Sequence, residues 1–184
     1  MKEAFKKVII DSQEKKYDKI IPRDYNIPVH SNKIVSLIGV RRCGKTYILF
    51  DIIRQLLEKT DPRNIVYINF EDDRLYPIQL KDLDDIITGY YELYPEKRNE
   101  NVYFFLDEIQ MIDGWEKFVR RIYDSLKVSI FVTGSSSKLL ASEIATSLRG
   151  STITYEIFPL SFQEYLRFKK IEVNTYSSKS VSFI

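Results

Sequence analysis

Short apolar runs recur along the chain and are separated by longer segments in which apolar residues return with a helical period. A run of this length, bounded by polar residues, is typical of a buried β-strand. Five strands are therefore predicted, over 34–38, 65–70, 102–106, 128–132 and 152–158.

Apolar side chains in the intervening segments recur every three or four residues, which is typical of amphipathic helices. Helices are predicted over 46–59, 80–93, 115–126 and 138–148. A separate helical segment, 3–20, precedes the first strand and ends before Pro22. Ser161 and Glu164 form a capping box that begins a last helix.

The alternation of strands with helices predicts right-handed β-α-β units and a parallel sheet that is covered on both faces. The predicted fold class is therefore α/β, with three layers. In open parallel sheets ligands bind beyond the carboxyl ends of the strands. The residues that follow each strand are the first candidates for a functional site.

The segment after the first strand, GVRRCGKT at 39–46, matches the phosphate-loop pattern G-x-x-x-x-G-K-[ST] in full. Gly39 and Gly44 let backbone N–H groups turn inward around a phosphate, next to the positive end of the following helix. Lys45 is predicted to contact the β- and γ-phosphates, and the Thr46 hydroxyl to bind Mg²⁺. The remaining predicted nucleotide-binding residues are Val40, Arg41, Arg42, Cys43 and Tyr47.

Two features of this loop leave alternatives open. Arg41 and Arg42 could contact phosphate, a neighbouring subunit or nucleic acid, or could be solvated or packing residues. Cys43 is expected to act as a small side chain that leaves the backbone free, and a thiol activated by the loop and Lys45 is the alternative.

The third predicted strand ends in two adjacent carboxylates, Asp107 and Glu108. Because successive strand residues point to opposite sides, the two side chains can serve different roles. Asp107 is predicted to hold Mg²⁺ or its bound water, and Glu108 to orient and deprotonate an attacking water. A solvated strand end is the alternative. Glu71 and Asp72, after the second strand, could contact that water or the loop arginines, or could form a solvated strand end.

Two further catalytic candidates lie near the fourth and fifth strands. Ser135, with Ser136 as second choice, could contact the γ-phosphate or the water, or could cap the next helix. Arg149 could enter a neighbouring subunit's site as an arginine finger, or could stabilise a helix C-terminus. No N-K-x-D guanine motif occurs, which favours ATP over GTP.

Composition narrows the functional classes. The 28 Lys and Arg against 26 Asp and Glu leave a net charge of +2, which does not support nucleic-acid binding by bulk charge. A basic excess within residues 1–23 keeps that role open. One Cys and one His exclude an intrachain disulfide and two-His zinc motifs. The longest apolar runs are too short for a signal peptide or membrane span, so a cytoplasmic protein is predicted.

The segments GVRRCGKT, NFEDDRL, YFFLDEIQ, TGSSS and IFPLSFQEYL occur in this order. Over roughly 18–170 the sequence resembles a prokaryotic family of AAA+-like P-loop ATPases. The resemblance implies an ASCE-type five-stranded parallel sheet in the order 5-1-4-3-2. It also implies nucleotide binding at Gly39, Gly44, Lys45 and Thr46, magnesium at Asp107 and the catalytic base at Glu108.

The chain is predicted to divide into an N-terminal helix and lead-in segment, 1–30, a P-loop ATPase domain, 31–170, and a linker or truncated tail, 171–184. Family members continue into a C-terminal effector region. They also have a Gly-Arg pair before the fifth strand, where this chain has Arg149-Gly150-Ser151.

The expected function is Mg²⁺-dependent ATP hydrolysis that drives a conformational change in a protein partner or a C-terminal effector domain. Assembly of several copies of this chain into a homo-oligomer is also considered. The alternative is a nucleotide-dependent switch or scaffold with little turnover, which could be linked to nucleic acid. A P-loop kinase is a third reading, disfavoured because Glu108 suits water activation and no lid is recognisable.

Overall fold

A computed structural model describes residues 1–17, 19–134, 148 and 150–172. Its strands form one parallel sheet in the order β2-β3-β4-β1-β5. This order is the predicted 5-1-4-3-2 read from the other edge. The strands are β1 (Ile34–Ile38), β2 (Ile65–Asn69), β3 (Val102–Asp107), β4 (Val128–Gly134) and β5 (Thr152–Glu156).

Helices cover both faces of the sheet. Those within the described residues are α1 (Lys2–Glu14), α2 (Lys45–Leu57), α3 (Asp84–Leu93), α4 (Trp115–Ser125) and α5 (Phe162–Lys169). The helix predicted over 138–148 falls almost wholly outside the described residues. The one predicted over 80–93 begins as a 3₁₀ turn, Leu80–Leu83, before α3.

Several strands and helices end at residues other than those predicted. For the strands the reason is that backbone pairing between parallel strands can continue past the last apolar residue. β3 and β4 each continue into polar or small residues, Asp107 and Gly134, which still pair with Asn69 and Ile38. α1 stops at Glu14, six residues early, because Lys15 is extended. This turn brings Tyr17 against Phe50, with ring centroids 5.3 Å apart.

Strand alternation produces two hydrophobic cores. On one face Phe104 packs with residues of α1, α3 and α4, including Phe5, Ile86 and Trp115. On the other face Phe105 stacks on Phe131 at 4.6 Å and packs with α2 and the segment before β1. The three predicted layers are therefore present, and α1 belongs to the first core.

No helix within the described part of the chain is long and apolar enough to cross a membrane.

Candidate functional site

The loop between β1 and α2 lies at the carboxyl edge of the sheet and has a backbone that only glycine can adopt at its start. Gly39 has φ +154°, and a Cβ there would lie 2.3 Å from the carbonyl oxygen of Ile157. Gly44 has φ +98° and is the N-cap of α2. Arg42 also adopts a left-handed conformation, with φ +64°. The loop thus curls tightly against the chain that follows β5.

Lys45 is folded back over this loop, and its side chain is only 3% exposed. Its Nζ donates to the carbonyl oxygens of Gly39 and Val40, at 3.3 and 3.2 Å. It also lies 3.6 Å from Oε1 of Glu108. The ammonium therefore faces the concave side of the loop, where it can contact an anion.

Asp107, at the end of β3, is buried and surrounded by hydroxyl donors. Oδ1 accepts from Thr133 Oγ1 at 2.5 Å, and Oδ2 accepts from Tyr67 OH at 2.8 Å. Burial raises the pKa of Asp107, and hydrogen bonds from Thr133, Tyr67 and Thr46 act in the opposite direction. Burial, and then the charge of Asp107, raise the pKa of Tyr67, so Tyr67 remains a donor.

The contact between Thr46 and Asp107 fits a magnesium ion. Mg²⁺ prefers oxygen ligands and takes only one or two from protein side chains, the others coming from water and substrate phosphates. The Thr46 hydroxyl lies close enough to the Asp107 carboxylate to help lower its pKa, and the two together supply such a pair of oxygen ligands. Among the described residues no three His, Cys, Asp or Glu side chains form a complete protein-made metal site.

Glu108 faces the cavity because of a left-handed turn at the end of β3. Its φ and ψ are 55° and 40°, so simple strand alternation does not account for its direction. Its N–H donates to Thr133 Oγ1 at 2.9 Å. Its Oε2 accepts from Gln110 Nε2 at 2.6 Å. The turn separates Glu108 from its buried neighbour Asp107.

A cavity of about 810 Å³ opens over these groups. Its lining residues are Arg41, Arg42, Gly44, Lys45, Thr46, Tyr47, Glu71 and Glu108. This volume lies within the range usual for small-molecule sites. Most residues of the predicted nucleotide site thus meet in one cavity.

The other loop residues lie at the rim or behind the loop. Arg41 is exposed at the mouth, with its Nη2 3.6 Å from Glu71 Oε1. Val40 and Tyr47 are exposed, and Cys43 is buried. Ser135 and Arg149, two of the predicted catalytic residues, lie outside the described residues, as does Ser136.

Sequence reasoning missed Thr133 and Tyr67, the two hydroxyls that hold Asp107. These two residues could have been found by combining strand alternation with the pairing register of β3 against β2 and β4. Phe105 pairs with Tyr67 on β2 and with Phe131 on β4. Residues two positions apart share a face, so Asp107 and Thr133 lie on the face of the stacked phenylalanines.

Thr133→Val should lower both stability and turnover. The substitution removes a donor to the buried Asp107 carboxylate and leaves the Glu108 N–H without its acceptor. We expect a loss of about 2 kcal/mol in the free energy of unfolding. Urea unfolding and ATP turnover measure the two effects, with the exposed Thr154→Val as control. Equal stability of the two variants would contradict the bridging role.

The segment after β5 packs against the back of the loop through a buried ion pair. Glu164 accepts from Arg23 Nε at 2.6 Å and from the N–H groups of Asp24 and Ser161. Ser161 Oγ accepts from the Glu164 N–H in return, so the predicted capping box is present. Burial alone would raise the pKa of Glu164, but hydrogen bonds from Arg23 and the two backbone groups lower it to about 2.

Acid should therefore weaken the fold through Glu164. Its pKa is lowered from 4.5 to about 2 on folding, so its contribution is complete above about pH 4.5 and is lost as pH falls toward 2. We expect Tm to fall through this window and to fall less in Glu164→Gln. Thermal unfolding from pH 6 to 2 measures this, with exposed Glu172→Gln as the control. Parallel Tm curves for wild type and Glu164→Gln would contradict the assignment.

Comparisons with known proteins identify the family. The family model described as "AAA domain" matches residues 31–166. The uncharacterized protein MJ1544 of Methanocaldococcus jannaschii is 48% identical over 170 residues, which cover 92% of this chain and 36% of that protein. An uncharacterized Haemophilus influenzae protein is 37% identical over 142 residues, 76% of this chain and 34% of that protein. The chain thus spans about a third of the length of these relatives.

Among solved structures, Saccharomyces cerevisiae RIF2 has a similar fold. The TM-score is 0.51 at 16% sequence identity, covering 97% of this chain and 72% of that one. At this identity the likeness concerns the fold alone. With the family match over most of the chain, the conclusion is that this protein belongs to the AAA-domain family of AAA+-like P-loop ATPases.

Proposed function

We propose that this domain binds ATP together with Mg²⁺ and hydrolyses it. The observation that carries the proposal is the separation of two adjacent carboxylates. Asp107 is buried beside Thr46, whereas Glu108 faces the cavity with an oxygen 3.6 Å from Lys45 Nζ. A metal-holding acid and a water-activating base need these different environments.

The loop and Lys45 would bind the phosphates. The backbone N–H groups of the loop and the N-terminus of α2 offer positive partial charge, and Lys45 adds a full charge. Phosphate oxygens would replace Glu108 as the anionic partner of Lys45. The Glu108 carboxylate, held by Gln110, would then be free to accept a proton from water.

Thr46 and Asp107 would hold magnesium. When bound, Mg²⁺ neutralises charge on the β- and γ-phosphate oxygens. Thr133 and Tyr67 keep the Asp107 carboxylate in place through their hydroxyl groups. ATP is the proposed nucleotide because no guanine motif occurs in the sequence.

Coupling of hydrolysis to a conformational change is part of the proposal. The relatives are about three times as long as the matched region, so a C-terminal effector domain or a separate protein is the proposed recipient. Assembly into a homo-oligomer would allow Arg149 to act as an arginine finger, and Ser135 would contact the γ-phosphate. Nucleic acid remains a candidate partner through Arg41, Arg42 and residues 1–23.

A nucleotide switch with little turnover is the second candidate. The contact between Lys45 and Glu108 favours it, because each group already neutralises the other. If this contact persisted with ATP bound, the carboxylate would be unavailable as a base.

Phosphate release distinguishes these candidates. It should be measured with ATP and Mg²⁺, with ATP and EDTA, and with GTP and Mg²⁺, over a range of protein concentrations. We expect release only with ATP and Mg²⁺, and a specific rate that rises with protein concentration if subunits complete each other's sites. ATP binding without release would favour the switch. Failure to bind either nucleotide would overturn the proposed function.

A further inference from the structure

Arg23 connects three parts of the chain at the back of the phosphate loop. Its side chain is 5% exposed, and its Nη1 donates to the carbonyl oxygen of Cys43 at 2.7 Å. Nε and Nη2 donate to the two carboxylate oxygens of Glu164 at 2.6 and 3.1 Å. Nη2 also donates to the carbonyl oxygen of Phe158 at 3.0 Å. The lead-in segment, the loop and the start of α5 therefore meet at one guanidinium.

The contact with Cys43 determines how the next peptide group is oriented. In a trans peptide the C=O and the following N–H point in opposite directions. Because Arg23 Nη1 holds the Cys43 carbonyl oxygen, the Gly44 N–H must point away from Arg23, toward the other side of the loop. The guanidinium also packs against Gly44, where a Cβ would lie 3.1 Å from Nη1.

Rotation of this peptide would harm anion binding in two ways. One N–H donor would be lost from the loop, and a carbonyl oxygen would face the phosphates instead. Since Gly44 tolerates a wide range of φ, its own backbone does not prevent the rotation. The hydrogen bond from Arg23 opposes it.

We propose that Arg23 is a positioning residue for the phosphate loop, and that Glu164 makes this positioning depend on the docking of α5. The proposal rests on ATP binding as the proposed function. Glu164 is itself held by the N–H groups of Asp24 and Ser161, so it presents a fixed carboxylate to Arg23. By linkage, if docked α5 favours ATP binding, bound ATP must favour docked α5 by the same factor.

Arginine is required because one side chain must reach a carboxylate and a carbonyl in different directions. Its planar group carries five N–H donors, whereas lysine offers a single ammonium. Arg23→Lys keeps the charge beside Glu164, but a single nitrogen cannot reproduce contacts that Arg23 makes through three separate nitrogens. This variant separates positioning of the loop from neutralisation of the buried carboxylate.

The first test compares affinity with turnover. Calorimetric titration with ATP and Mg²⁺ should show that Arg23→Lys binds ATP at least about tenfold more weakly than the wild type does. KM should rise by a similar factor, while kcat changes much less because Glu108 and Asp107 are untouched. Arg63→Lys is the matched control, since Arg63 is half-exposed and pairs with Asp61 and Glu96 away from the loop.

The second test measures amide hydrogen exchange of α5, residues 162–169, with and without ATP. We expect ATP to slow exchange there in the wild type and in Arg63→Lys, but not in Arg23→Lys. Wild-type affinity in Arg23→Lys would overturn the positioning role, and unchanged α5 exchange in ATP-bound wild type would overturn the coupling.

Misfolding of the Arg23→Lys variant and absence of ATP binding by the wild type can each be told apart from failure of the positioning role. If Arg23→Lys melts well below wild type, Glu164→Gln, which can still accept from Ser161, is measured instead. Its ATP affinity should also fall, and wild-type affinity in this variant would overturn the link to α5. If the wild-type protein itself does not bind ATP, both proposals fall.

Discussion

Glu108→Gln should reduce the rate of ATP hydrolysis by about 10²–10⁴-fold while leaving ATP affinity within a few-fold of wild type. Glutamine fills the same space but cannot accept a proton from water. Glu108 takes part in the left-handed turn and in the hydrogen bond to Thr133 Oγ1 through its backbone alone, so the substitution leaves both intact. Phosphate release at saturating ATP measures the effect, and calorimetric titration measures affinity.

Glu96→Gln is the matched control. Glu96 lies in the 3₁₀ segment before β3, at the end of the sheet opposite Glu108. The control should hydrolyse ATP at the wild-type rate. Glu71 also lines the cavity. If Glu71→Gln abolished hydrolysis and Glu108→Gln did not, Glu71 and not Glu108 would be the base.

Gly39→Ala should destabilise the fold and abolish ATP binding. The added Cβ would lie 2.3 Å from the Ile157 carbonyl oxygen and 3.0 Å from Cys43 Sγ. A backbone oxygen cannot move aside like a flexible side chain, so either the loop or the chain that follows β5 must shift. With the strain at φ +154° added, we expect a cost of about 3 kcal/mol or more. Urea unfolding and ATP titration measure the two losses.

Gly150→Ala separates backbone strain from this steric clash. Gly150 also has a positive φ, +79°, but a Cβ there meets no heavy atom of the described residues within 4 Å. Strain alone should cost about 1–2 kcal/mol and leave ATP affinity unchanged. Equal stability of the two variants would show that the approach of Ile157 to the loop does not constrain position 39.

Local patterns in the sequence predict much of this protein. Apolar runs and helical periods identify the strands and the alternation that produces a parallel sheet. The phosphate loop is recognisable because its eight residues are contiguous, and Asp107 and Glu108 because they directly follow a buried strand. Such features depend on neighbours within a few positions, so one-dimensional periodicity captures them.

Periodicity does not predict the backbone conformation at the end of β3. Strand alternation predicts that Asp107 and Glu108 point in different directions, but in the structure their directions differ because Glu108 is left-handed. Likewise, α1 ends early at the extended Lys15, and the chain then places Tyr17 in the core on the opposite face of the sheet.

The sequence by itself determined the fold class, the sheet order through its family resemblance, and the contiguous loop that forms most of the cavity. Only the tertiary structure decided which distant side chains support that loop and its acids. Tyr67 and Thr133 reach Asp107 because β2 and β4 flank β3, and Arg23 meets Glu164 across 141 residues of sequence. Each is an ordinary polar residue in its local context. Its role arises from burial beside a partner that the packing of the sheet and helices places there.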